Sequence, residues 1–284
     1  AAYAEPVTDW SQEERFIYHA GEEGITLNEE ATADAIKKAL EQGEFVCTVE
    51  ATVNAVLPGG NIDDLKAATS FIASYTTKFS ARRDDEVKQN RKFNIQKAAD
   101  IINGNTIQPG EEWSFNTVVG PRTYELGWKG ANGISGGKEY TIQAGGGICQ
   151  VSTTLYNALL CANMEIVDRR AHTIPSDYVP VGLDATVDTR GIDFVWKNNT
   201  DMPAYIFAKV ENVEGSSSRH TITVYVYGKP LPEGVTYQSR NEIIEERSRQ
   251  DEAIYTNDAS IPTGYQLERV QGHKYYVAEA YQDK

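Results

Sequence analysis

The 284-residue chain is 40% hydrophobic and 24% charged, a globular composition with length enough for one large or two ordinary domains. Its 41 acidic and 27 basic residues leave a formal net charge of −14, which argues against a phosphate-neutralising surface for nucleic acid and against adsorption to anionic lipid. No apolar run approaches the ~20 residues that span a bilayer. The opening AAYAEPVTDW carries no signal-peptide pattern, as a mature chain would not, and 16 tyrosines in an acidic chain suit an extracellular or cell-wall setting.

Residues 1–22 are polar and aromatic and are expected to form an arm or edge element. In the next stretch Asn28 or Thr26 can cap a helix that starts with Glu29 and Glu30 and stops at Gly43. FVCTVEATVNAVLP then alternates as a strand that places Cys47 beside Phe45, Val49 and Ala51. A short helix and an extended tail complete an α/β unit ending near residue 80. The clearest helix is RDDEVKQNRKFNIQKAADIINGN, with Ile95, Ala98, Ile101 and Ile102 in an apolar stripe and Gly104 closing it. EEWSFNTVV reads as a strand. Residues 121–147 hold eight glycines and read as mostly loop, ordered by Tyr124, Trp128 and Lys129. A helix follows from Cys149, with Val151, Leu155 and Ala162 at core spacing. After an extended, turn-rich segment come three strands, the last two a hairpin around GSSS, and then a β-rich tail.

The stretch AGGGICQVSTTLYNALLCA (144–162) sets a cysteine at a glycine-to-helix junction. A helix start directs unpaired amides and the positive dipole end at the sulfur, which lowers a thiol's pKa. Gly145, Gly146 and Gly147 permit a sharp turn, clear a path for a substrate, and present amides suited to an oxyanion. Ser152, Thr153 and Tyr156 project from the first turns. Of four histidines, His172 follows the helix and can fold back to its start, with Asp177 or Asp184 to orient it. The bland alternative is a small cysteine locking a tight connection. Twelve residues separate Cys149 from Cys161, ~18 Å along one helix, too far for a disulfide; a pairing of Cys47 stays open. No metal-ligand spacing, no phosphate-loop Lys-Ser/Thr and no cofactor motif is present.

SFNTVVGPR, GGGICQVSTTLYNA, HTIPSDYVPVGLDATV and KNNTD together resemble the VanW family over roughly residues 90–230, and DLKAATSFIASYTTKFS is similar to the peptidoglycan-binding region that precedes such domains in YoaR-like proteins. The resemblance implies a Gram-positive-type envelope or secreted protein, a connection by name to vancomycin resistance, and motif positions at Asn116, Arg122, Cys149, Gln150, Ser152, Thr153, His172, Pro175, Tyr178 and Asp184. Leu183 stands where the family has an arginine-like residue before Asp-Ala-Thr.

The expected fold is therefore α+β: an arm (1–22), a peptidoglycan-binding α/β unit (23–89), a mixed VanW domain with the Cys149 helix against a mostly antiparallel sheet (90–230), and a β-rich extension (231–284). The expected function is a cell-wall-associated protein that binds peptidoglycan or its peptide stems, with no nucleic acid, no membrane insertion, no metal and no cofactor. Binding would use Asn116, Arg122, Gly145, Gly146, Gly147, Gln150, Ser152, Thr153, Tyr156 and Tyr178. The alternatives are a cysteine-dependent peptidase or transpeptidase, with Cys149 as nucleophile, His172 as base and Asp184 as orienter, and a structural or adhesive scaffold. The two leading ideas separate on whether His172 reaches the Cys149 sulfur in an open cleft.

Overall fold

A computed structural model describes residues 2–21, 24–43, 48, 50–51, 53–56, 61–135, 139–247 and 275–284; Cys47 lies outside them. In chain order, β1 (Tyr3–Pro6), β2 (Phe16–His19), β3 (Gly24–Leu27), α1 (Glu29–Glu41), β4 (Val53–Val56), α2 (Ile62–Ala68), β5 (Ser70–Ser80) and α3 (Glu86–Ile102) are followed by β6 (Asn105–Ile107), β7 (Glu112–Ser114) and α4 (Phe115–Val119). Then come β8 (Gly130–Ser135), β9 (Glu139–Ala144), α5 (Ile148–Cys161), β10 (Glu165–Asp168), β11 (Val195–Lys197), β12 (Ala204–Asn212), β13 (Arg219–Gly228), β14 (Gln238–Arg247) and β15 (Tyr275–Asp283). The chain is α+β, with antiparallel pairing throughout its sheets.

The central sheet has the order β5-β13-β12-β6. Along β12 the two-residue period sends Ala204, Ile206 and Ala208 into the main core and Tyr205 and Phe207 to the opposite face. There β1 and β2 bring Phe16 edge-on to Tyr205, Phe207 and Tyr227, so the N-terminal arm is a hairpin that covers the sheet's second face. β5 pairs with β13 from Ser70 to Ser80. The central sheet thus draws strands from both sides of the expected boundary at 89/90.

On the main-core face lie α3 and α5. Asp85 caps α3 by accepting from the Lys88 amide at 3.0 Å. Ile95, Ala98, Ala99 and Ile102 are buried from it, and so is Asn94. Asn94 reaches across α3 to accept from the Lys129 amide (2.9 Å) and to donate to the Lys129 and Gly146 carbonyls (2.9 and 3.0 Å). One amide side chain therefore ties two later segments to the helix. Helix α5 is buried along almost its whole circumference, and burial of Leu155 and Leu159 each contributes about 1.5–3 kcal/mol.

Two local expectations change. The glycine-rich stretch read as a loop contains the β8/β9 hairpin, whose pairing runs from Gly130–Ala144 to Ser135–Glu139. Its glycines are where neighbours press closest: a Cβ on Gly133 would lie 1.8 Å from Gln143 Nε2. The EEWSFNTVV strand ends at Ser114, whose hydroxyl accepts from the Thr117 amide (3.0 Å) and starts α4. The C-terminal β14/β15 pair rests on the main body, with Asn241 donating to Val181 O (2.9 Å) and Gln282 to Leu160 O (2.6 Å).

Asn94→Ala leaves the Gly146 carbonyl and the Lys129 amide without a partner, while Lys129 O keeps the Gly145 amide, and is expected to cost about 2–4 kcal/mol in denaturant unfolding. A loss below about 1 kcal/mol contradicts the stapling role.

Candidate functional site

The turn into α5 is built by three glycines. Gly147 has φ +105°, a left-handed conformation that disfavours any side chain. Gly146 is pressed onto β8: a Cβ there would lie 2.3 Å from Ala131 O. The glycines thus serve close packing against protein, rather than only clearing a substrate path. Ile148 N donates to Gly145 O (3.2 Å) and Gln150 N to Gly147 O (3.0 Å); among the described residues the Gly147 and Cys149 amides have no acceptor. Cys149, the second residue of the helix, is half-buried and opens on a cleft of about 920 Å³.

His172 and Asp184 lie on the irregular segment between β10 and β11, which the Thr186 N to Arg170 O bond (2.8 Å) folds on itself. Asp184 Oδ2 accepts from the His172 backbone amide (2.6 Å) and pairs with His172 Nδ1 (2.5 Å), both side chains under a tenth exposed. The imidazole lines the same cleft as the Cys149 thiol, close enough for its charge to act on the sulfur. With Nδ1 held by Asp184, Nε2 is the nitrogen left to serve the sulfur. Cys149 Sγ lies 3.3 Å from Val187 O and 3.7 Å from Thr186 Oγ1.

Burial opposes every charge in this triad, and pairing overrides it. Desolvation pushes the Cys149 thiol up, yet the nearness and positive charge of His172 bring it below the ordinary thiol value. Burial disfavours imidazolium, but Asp184 and Cys149 lift His172 to about 9. Burial likewise opposes the Asp184 carboxylate, which the two His172 bonds and the Arg169 charge hold below its usual range. The two shifts favour charge on both partners, toward thiolate on Cys149 and imidazolium on His172. Cys161 is a free thiol whose burial raises its pKa, and it has no such partner.

The polar residues of the helix motif explain how Asp184 is placed. Ser152 Oγ donates to Ala185 O (2.7 Å), Thr153 Oγ1 accepts from Ala185 N (2.9 Å), and Asn157 donates to Leu183 O (2.7 Å). Gln150 accepts from Arg91 Nη2 (2.8 Å) and donates to Thr77 Oγ1 (2.9 Å) and Lys78 O (3.0 Å), fixing the helix start to β5. Tyr156 packs edge-on to Phe194, beneath the Arg169 guanidinium. Asn116 donates to Asp188 O and Ile192 O and accepts from Arg122 Nη1 (2.7 Å).

Of the residues expected at a site, Cys149, His172, Arg122, Gly145, Gly146, Gly147, Gln150 and Tyr178 line the cleft. Asn116, Ser152, Thr153, Tyr156 and Asp184 stand behind its wall. Asp177 lines the cleft, and Asp184 holds the imidazole. Lys129 sits over the Phe93 ring (4.4 Å), outside the cleft. Arg169 was not singled out from sequence: it donates to Asp184 O (2.6 Å) and lies 3.6 Å from Asp184 Oδ1, supplying a cation to Asp184 while Leu183 is buried in core. Its signal was only the Arg169-Arg170 pair just before His172.

A cysteine at a buried helix start, an Asp-held histidine and a cleft define a candidate thiol site, and residues 90–222, which contain it, match the family model described as VanW like protein. The chain is 42% identical over 142 residues to the uncharacterized protein YoaR of Bacillus subtilis, covering 50% of this chain and 45% of that one. It is 31% identical over 130 residues to the vancomycin B-type resistance protein VanW of Enterococcus faecalis, covering 44% and 47%. The chain thus spans less than half the length of these relatives. No solved structure matches.

Asp184→Asn removes the carboxylate that sustains the imidazolium. The pH profile of Cys149 alkylation is expected to move up by about one unit or more, with Cys161 reacting only in the ordinary thiol range or above in both proteins. An unmoved Cys149 profile contradicts the relay from Asp184.

Proposed function

We propose that this is a cell-wall-associated, cysteine-dependent acyl-transfer enzyme that cuts or exchanges an amide bond in wall peptides. The observation that carries it is a cleft lined both by Cys149 at a helix start and by His172, whose Nδ1 Asp184 holds at 2.5 Å. The Cys149 thiolate attacks the amide carbonyl and the open amides of Gly147 and Cys149 receive the oxyanion. His172 gives its proton to the leaving amine, then takes one from the water or amine that opens the thioester. Asp184 keeps the ring in one orientation throughout. The wall as setting is supported by the relatives' likeness, since one carries a vancomycin-resistance name.

Wall binding without chemistry is the second reading. It is favoured by the aromatic side chains of Tyr140 and Tyr178 in the cleft lining, a residue type suited to contact with sugars.

Incubation with peptidoglycan fragments, followed by acid quench and mass mapping, is expected to find an acyl group on Cys149. His172→Ala is expected to lower its rate of formation about 10²–10⁴-fold. Retention on purified wall with no acyl adduct, unaffected by Cys149→Ala, would support the binding reading in its place.

A further inference from the structure

The C-terminal ribbon of β14 and β15 has two unlike faces. One carries Arg240, which pairs with Glu242 and Asp283 and sits over the Tyr281 ring (4.5 Å). The two-residue period puts Ser239, Asn241, Ala278, Ala280 and Gln282 together on the other. These small and amide side chains let the ribbon lie close to the main body, which it meets at two places. At the end of α5, Gln282 donates to Leu160 O (2.6 Å) and Asn163 Oδ1 (3.1 Å). Next to the thiol site, Asn241 donates to Val181 O (2.9 Å).

Val181 belongs to a tight turn. Leu183 N donates to Pro180 O (3.0 Å), and Gly182 in the third position has φ +89°, the type II form. The middle peptide of such a turn can flip, and its carbonyl is Val181 O, the group that Asn241 grips. Ala278 backs the same peptide: a Cβ on Gly182 would lie 3.0 Å from Ala278 Cβ. The far side of the turn carries Arg169, which donates through Nη2 to Gly182 O and through Nε to Asp184 O (2.6 Å). Those two carbonyls aim the guanidinium, leaving Nη2 3.6 Å from Asp184 Oδ1, and Asp184 in turn holds His172 at 2.5 Å. Direct contacts and one peptide unit thus connect the ribbon to the imidazole.

We propose that Asn241 is a positioning residue of the thiol site, holding the Val181–Gly182 peptide so that Arg169 stays seated on Asp184 behind His172 and Cys149. The ribbon is then a working part of a site whose cleft it does not line. When the turn loosens, the Arg169 charge retreats from Asp184. The carboxylate then sustains the imidazolium less, and the thiolate gives way at a higher pH. Tyr156 lies under the Arg169 guanidinium (5.0 Å) and Tyr178 lines the cleft; burial raises both phenols, so neither is charged near neutral pH. Arg91, Arg122, Arg190, Asp177 and Asp188 complete the charged lining of the cleft, and Asn241 is outside that lining. The role concerns the ionisation of the site, so it holds whichever reading of the cleft is right.

The test is alkylation by a small thiol reagent across pH, with mass mapping of Cys149. Asn241→Ala is expected to move the Cys149 midpoint up by about half a unit. Arg240→Ala, on the ribbon's opposite face, is expected to leave it in place. Arg169→Met is expected to raise the midpoint by itself, and Asn241→Ala added to it is expected to contribute nothing more, because Asn241 acts through Arg169. A purely structural contact would lower the melting temperature of Asn241→Ala without moving the midpoint. An unmoved midpoint, an equal shift in Arg240→Ala, or full additivity in the double variant would overturn the proposal. If Arg169→Met fails to fold, the comparison of Asn241→Ala with Arg240→Ala still decides. No wall peptide is used, so failure of the enzyme reading leaves each of these outcomes as it is.

Discussion

Asp184 Oδ2 and His172 Nδ1 meet at 2.5 Å where both side chains are nearly out of water. In that setting an isolated imidazolium loses several kcal/mol of hydration and would shed its proton. The carboxylate reverses the outcome, and Arg169 in turn keeps the carboxylate ionised. Three alternating charges, Arg169, Asp184 and His172, thus run toward the Cys149 sulfur and favour its ionised form. Each is tolerable only because of the next, so the state of the thiol is set some distance behind it.

The rest of the domain holds that line straight. Helix α5 is fixed at its start by Gln150 and by the Gly146 turn that Asn94 grips from α3. Its next turns clamp residues 183–185 through Ser152, Thr153 and Asn157, the stretch that contains Asp184. Most of the helix's polar residues therefore point into the protein and act on geometry. Few of them face the cleft, which Cys149, His172, Arg91 and Arg122 line.

Much of this was legible in the residues. The periodicity of α3, the caps at Asn28 and Gly104, and the hairpin of β12 and β13 follow from local rules. The helix start at Cys149 followed from the glycine-to-helix junction, and chain direction brought His172 to the same cleft. What stayed hidden depended on tertiary contact. The β8/β9 hairpin was masked because its glycines, poor strand formers alone, are selected by close neighbours such as Gln143. Ser114 ended a strand that alternation would have continued. Asn94 carried no signal of its own in the sequence, yet its buried amide ties residues 129 and 146 to α3. Ser152 and Thr153 were assigned to a ligand on their nearness to Cys149; along a helix, nearness in sequence does not say which face meets solvent. Arg169 acts on Asp184 from fifteen residues away, and no spacing rule announces it.

The central claim is the charge state of Cys149, and the thiolate's ultraviolet absorbance reads it directly. The difference spectrum between the native protein and Cys149→Ser at neutral pH is predicted to show one thiolate per chain, persisting well below the ordinary thiol range and lost in His172→Gln. A difference spectrum that stays flat until the ordinary thiol range would contradict the account.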